Sequence, residues 1–182
     1  MKKFLYPLFG AVLLAQLAVP AFMIWRQEMT LREGTMFKLE TAPVDPYDAF
    51  RGRYVALSFK EESVSKSLAP EAKKGDRLHA RLQANAEGIA RVVALSADKL
   101  PDSVPVKVQW VSEDIRLVFP FERFYMDEFK ALPAEEAYRQ QNRREKPGKA
   151  HVTIRVRNGY AALENLYLED QPILDYFKKL PK

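Results

Sequence analysis

Asp45 and Asp48 flank Pro46 in Asp45-Pro46-Tyr47-Asp48, and two carboxylates at that spacing could hold Ca²⁺ or do acid–base work. The same pattern also caps a one-turn helix: Asp before Pro, then a second Asp three residues on. A calcium loop needs more oxygen ligands at regular intervals. The pair is therefore read as structural, with Arg51 placed to bond it. Ser63, Ser65 and Lys66 offer the atoms of a Ser/Lys dyad, but no oxyanion-hole signature accompanies them. The two histidines, His79 and His151, lack the paired spacing of a metal site. Tyr54, Tyr125, Tyr138 and Tyr160 could line a ligand groove, as could Trp110; aromatic residues at such spacing are more often core. No catalytic residue, metal or cofactor is assigned.

Composition narrows the chemistry further. With no cysteine there is no disulfide, zinc-thiolate site, iron–sulfur ligation or thiol nucleophile. Seven glycines do not assemble a phosphate-binding loop. The net charge of +5 points towards nucleic acid until it is located. Lys2, Lys3 and Arg26 flank an apolar run, and residues 27–182 carry only +2. Arg139, Arg143, Arg144, Lys146 and Lys149 against Glu145 make one patch of +4, leaving the remainder slightly acidic. That distribution lacks the broad basic face of a nucleic-acid surface. The patch reads as a solvated helix end, with anionic lipid or an acidic partner as the alternative.

These residues must be positioned by elements that begin with a membrane segment. Phe4 to Trp25 holds 22 consecutive uncharged residues. As a helix it spans about 33 Å, enough for a hydrocarbon core of about 30 Å. Lys2 and Lys3 precede it, so the positive-inside rule predicts a cytoplasmic N-terminus in a bacterial inner membrane and an extracytoplasmic remainder. Trp25 suits an interfacial anchor, and Pro7 and Pro20 are tolerated near the ends of such a helix. A cleaved signal peptide is the competing reading, with Val19-Pro20-Ala21 as small residues near a cleavage point. The organisation expected is an anchor over 1–26 and one β-rich domain over 27–182, with Gln27 to Gly34 continuing the helix or forming a connector.

Alternating polarity predicts strands at Phe37–Thr41, Arg53–Lys60, Arg77–Gln83, Ile89–Ser96, Val104–Trp110, Ile115–Phe119, Val152–Val156 and Tyr160–Leu168. Ala84 to Gly88 and Asn158-Gly159 are hairpin signals. Between Phe119 and His151 the period changes: Phe121, Phe124, Tyr125, Phe129 and Leu132 fall on a helical stripe. Pro133 opens a second helical stretch, stopped by Pro147-Gly148. The expected fold is mainly β: a small antiparallel barrel or sandwich with a helical insertion, preceded by one transmembrane helix.

Residues 30–59 include Pro43-Val44-Asp45-Pro46-Tyr47-Asp48-Ala49-Phe50-Arg51, then Gly52-Arg53-Tyr54-Val55-Ala56-Leu57-Ser58-Phe59. This segment resembles the bacterial membrane-anchored GDYXXLXY family, with Arg53 in place of the motif's Asp and Phe59 in place of its last Tyr. A weaker likeness runs through Phe121–Tyr125 and Glu136–Arg139. The resemblance implies topology: a short N-terminal anchor and one extracytoplasmic domain. It implies no activity. The motif residues Asp45, Pro46, Asp48, Arg51, Gly52, Arg53, Tyr54, Leu57 and Phe59 are expected to serve structure or partner binding.

The functional expectation is an accessory protein that binds a membrane or envelope partner, held to the membrane by residues 4–25. The alternatives are an envelope hydrolase using Asp45 or Asp48, and a β domain binding a small apolar ligand or lipid.

Overall fold

The computed structural model describes residues 2–42, 54–127, 130, 133–134, 136–138 and 150–178, with side chains from residue 6 to residue 175. Helix α1 runs without interruption over Lys2–Glu33 and includes Pro7 and Pro20. Its apolar part is exposed all round: the span from Tyr6 is long and apolar enough to cross a membrane, and none of its most apolar window is buried. The helix then continues past the apolar run. Glu28 and Arg32, four residues apart, form an ion pair at 2.8 Å, an arrangement that supports an exposed helical turn. Of the two options for residues 27–34, the helix continues.

Most of the other described residues form antiparallel sheet. A four-stranded sheet has the order β1–β9–β10–β11, where β1 is Thr35–Glu40, β9 is Ala150–Arg157, β10 is Tyr160–Leu168 and β11 is Gln171–Pro172. A five-stranded sheet has the order β3–β7–β6–β4–β5. Its strands are β3 Ser63–Ser65, β4 Arg77–Ala84, β5 Ala90–Ser96, β6 Ser103–Val111 and β7 Asp114–Val118. β2 (Tyr54–Ala56) pairs with β8 (Arg123–Tyr125), and α2 (Ile173–Lys178) follows β11. β1 links the sheets. Lys38 bridges Ile89 just before β5, and Thr41 bridges Phe59 just before the 3₁₀ turn Lys60–Glu62 that leads into β3. The five-stranded sheet is thereby drawn into a nearly closed, barrel-like form, the strongest way to remove exposed edges.

Alternation places the core. Val55, Leu57 and Phe59 are buried together, while Tyr54, Ala56 and Ser58 are only half-buried. Phe59, Phe119 and Phe121 form an aromatic trio with ring centroids 5.4 to 5.8 Å apart. Each such tilted or edge-on pair adds about 0.5–1.5 kcal/mol beyond its buried area. Asn158 and Gly159 have φ of 50° and 69°, the left-handed pair that a two-residue hairpin turn requires.

Three expectations are corrected. The aromatic stripe beginning at Phe121 is not a helix over its first part, since Arg123–Tyr125 is strand β8; residues 130, 133–134 and 136–138 are helical. The strand expected over Arg53–Lys60 is regular only at Tyr54–Ala56 and gives way to the 3₁₀ turn. The short strand β3 was not predicted.

Candidate functional site

β1 and β9 run antiparallel from Thr35↔Val156 at one end to Glu40↔His151 at the other. The first end lies beside the C-terminus of α1. The second, about 17 Å away at the strand rise of about 3.4 Å per residue, opens into a cleft of about 520 Å³. That volume falls in the range of small-molecule sites. β1 supplies Lys38 and Glu40, β9 supplies Ala150 and His151, the approach to β5 supplies Glu87 and Ile89, and the β10–β11 turn supplies Asp170.

Each cleft residue has a local reason to be there. Glu169 and Asp170 have φ of 51° and 61°, so the β10–β11 turn is left-handed at two residues with no glycine. That is the conformation a two-residue hairpin turn requires, and it costs more for Glu and Asp than for Asn or Gly. His151 stacks flat on Tyr167, with centroids 4.8 Å apart and 3° between planes, and its Nδ1 lies 3.9 Å from Asp170. Burial pushes its pKa below the ordinary value, Lys38 adds to this, and Asp170 and Glu40 oppose it. The ring is thus held neutral, with one nitrogen to donate and one to accept. With Lys38, Glu87 and Asp170 beside it, the cleft suits a polar segment carrying both donors and acceptors.

From Glu40, on the cleft, an ionic network that sequence reasoning missed runs back into the domain. Glu40 accepts from Lys60 and Arg91, each at 3.2 Å. Glu61, almost fully buried, accepts from Arg91 at 2.6 Å and from the Val92 backbone N–H at 2.8 Å. β5 is an edge strand, so Glu61 satisfies an N–H that no neighbouring strand reaches. Glu62 accepts from Ser58, from the Phe59 N–H and from Arg116 at 2.7 Å. Burial outweighs these three and raises its pKa above the usual carboxylate value, with Glu122 adding to the rise. The adjacent carboxylates therefore face opposite ways, one clasping β5 and the other β7. The only sequence signal was Glu61-Glu62 directly after an apolar strand; the arginine partners lie 30 and 54 residues on.

The sequence-predicted residues are dispersed. Of the motif, Leu57 and Phe59 are core, and the Leu57 N–H donates to the Glu122 carbonyl at 2.8 Å. Tyr54 faces Tyr125 across β2–β8 at 5.5 Å, with the Arg123 guanidinium 4.9 Å from its ring. Phe59 sits dry between two phenylalanines, where a tyrosine hydroxyl would need a partner. Asp45, Pro46, Asp48, Arg51, Gly52 and Arg53 lie outside the described residues, as do Arg139, Arg143, Arg144, Lys146 and Lys149. The four tyrosines do not share a groove. Tyr138 is fully buried and donates to the Ala42 carbonyl at 3.4 Å, and Tyr160 stands at the start of β10 beneath Arg26. Trp110 is half-exposed on β6 and does not line the cleft. Ser65 bonds Ser67 and caps the 3₁₀ turn Lys66–Leu68, and Ser63 reaches Asp114 at 3.4 Å, so these serines serve turns and strand edges. His79 lies on β4 beside Ser103, away from His151. No group of three or more potential metal ligands occurs among the described residues.

A family model described as GDYXXLXY protein matches residues 16–166, and the chain belongs to that family. Neither the curated proteins nor the solved structures give a significant match.

Proposed function

We propose that this GDYXXLXY protein is a single-pass, membrane-anchored accessory protein. In this reading it uses the end of its β domain remote from the anchor to bind a membrane or envelope protein. The N-terminus lies in the cytoplasm and the β domain on the extracytoplasmic side of a bacterial inner membrane, as Lys2 and Lys3 before the apolar run favour. One observation carries the reading: the polar cleft and the attachment points of the motif segment share one end of the β1–β9 pair, while α1 occupies the other. Thr41 donates to the Ala150 carbonyl through both its N–H and its hydroxyl, at 3.2 and 2.9 Å. The chain that leads into residues 43–53 and the chain that leaves residues 139–149 therefore meet at the barrel beside the cleft. An anchor confines that end to within tens of ångströms of the bilayer, which raises the encounter rate with membrane partners.

The test is site-specific photocrosslinking in native membranes. A photoreactive residue at Glu87 or Asp170, on the cleft rim, is compared with one at Lys107 on β6. Discrete adducts from the rim positions alone are expected. Equal labelling from Lys107, or none from the rim, overturns the reading.

A further inference from the structure

Where α1 leaves its apolar run, two cations converge on one exposed ring. Arg26 directly follows Trp25, and its guanidinium lies 4.0 Å from the centre of the Tyr160 ring. The Lys99 ammonium, from the β5–β6 connection, lies 5.1 Å from the same ring. The Lys99 stem is seated across the β9–β10 turn, because a Cβ on Gly159 would come within 2.3 Å of its Cε. Tyr160 remains 43% exposed.

The surrounding charges leave these two cations available. Glu28 is bonded to Arg32 at 2.8 Å and Glu33 to Arg157 at 2.8 Å. Arg155 is bonded to Glu164 at 3.0 Å. Asp98 precedes Lys99 in the chain, but its N–H is turned to Ser96 and it makes no ion pair with Lys99 or Arg26. Among the described residues neither Arg26 nor Lys99 has a carboxylate partner. Two like charges gathered at one aromatic ring are attracted to it but repel one another, and an anion that reaches both offsets that repulsion.

We propose that Arg26, Lys99 and Tyr160 form a binding site for the phosphate of an anionic phospholipid headgroup. The occupant follows from position. Phe22 and Trp25 form an aromatic pair at 5.8 Å on the last turn of the apolar run, the level at which aromatic belts sit. Arg26 is one residue, about 1.5 Å of helix, beyond Trp25, which sets the cluster at headgroup depth. The Tyr160 ring is amphipathic in the way that interface demands. This inference rests on the anchored reading above.

The full-length chain is reconstituted into nanodiscs of phosphatidylcholine with phosphatidylglycerol as the minority anionic lipid. Lipids retained on gentle extraction are counted by native mass spectrometry. Wild type should retain phosphatidylglycerol in preference, and Arg26→Gln/Lys99→Gln should lower that enrichment about tenfold while its circular dichroism and melting are unchanged. Tyr160→Leu, which keeps both charges but removes their common support, should lower it by a smaller factor. Equal enrichment in wild type and the double variant overturns the site. Displacement of the lipid by millimolar inorganic phosphate overturns the assignment to a lipid headgroup. A chain that does not co-elute with nanodiscs overturns the anchored reading itself, an outcome distinct from the first two.

Discussion

The two ends of the β1–β9–β10 sheet differ in how their charges are used. At the α1 end, Glu28, Glu33, Arg155 and Arg157 are matched in ion pairs, and Arg155 also bonds the Gly34 carbonyl at 3.3 Å. Thr30 is buried and Gly34 brings the backbones of α1 and β9 together. At the remote end, Glu87, Asp170 and Lys38 line an open cleft around a neutral histidine. The α1 end is thus welded by paired charges, with Arg26 and Lys99 left over beside the joint at Tyr160, while the remote end keeps its charges around an open cleft. Pairing of charge, more than its amount, separates a joint from an open polar surface.

The largest expected effect is at the joint. A Cβ at Gly34 would meet the Thr30 carbonyl at 2.4 Å and the Val156 backbone nitrogen at 3.1 Å, and backbone atoms yield poorly. Gly34→Val should destabilise the full chain by about 3 kcal/mol, the upper part of the range for overpacking, measured by denaturant titration in detergent micelles. If the melting midpoint holds, the joint is not welded.

Next is the ionic network behind the cleft. Glu61→Ala strands the Val92 N–H and one arginine contact, and should cost about 2 kcal/mol after allowance for the half-exposed Arg91. Hydrogen exchange at the Val92 amide should rise in the variant; unchanged protection there contradicts the clasp.

A smaller effect sharpens the contrast through pH. The folded state favours neutral His151, with its pKa pushed by burial below the ordinary value of 6.5, while the unfolded chain titrates near that value. Unfolded chains therefore bind the proton first, and the stability contributed is complete above about pH 6.5 and declines as pH falls through the folded value. Glu62 has the opposite sign: its folded pKa is above 4.5, so its contribution is complete below that and declines as pH rises through the folded value. Replacing His151 with Phe, which keeps a ring on Tyr167, should flatten the loss below pH 6.5 in a melting-versus-pH series. An identical slope in wild type and variant refutes the histidine's part.

The smallest effect returns to the joint. Arg157→Ala breaks a pair whose side chains are 32% and 51% exposed, and should cost no more than about 1 kcal/mol. Raising salt in wild type should reproduce part of that loss; a loss of several kcal/mol would mean that this pair, not the backbone contact at Gly34, fastens helix to sheet.

Legibility followed range in the chain. β10 is legible at its observed bounds because Asn158-Gly159 fixes the hairpin and returns the chain along β9, despite a bulge between Leu163 and Asn165. Phe121 to Tyr125 misled because β8 has only three residues, too few to display a period of two. Its aromatics serve distant partners instead, Phe121 meeting Phe59 and Tyr125 meeting Tyr54. The site was less legible than the fold. His151 was noticed but could not be joined to Lys38 or Asp170, because β1 and β9 pair across more than a hundred residues. The Glu61 and Glu62 clasps had the same obstacle: a carboxylate shows its charge in the sequence, not the edge strand it will cap.

The unbroken passage of α1 from apolar run to sheet has a mechanical consequence. Helices tilt to match bilayer thickness, over a range of about 0–40°, and a domain on a slack tether would ignore that tilt. Here the sheet turns with the helix. A change of about 10° swings the far end of β1, about 17 Å from the joint, by up to about 3 Å. That is the width of a hydrogen-bonded contact, so in the anchored arrangement proposed above the reach of the cleft is geared to the thickness of the membrane.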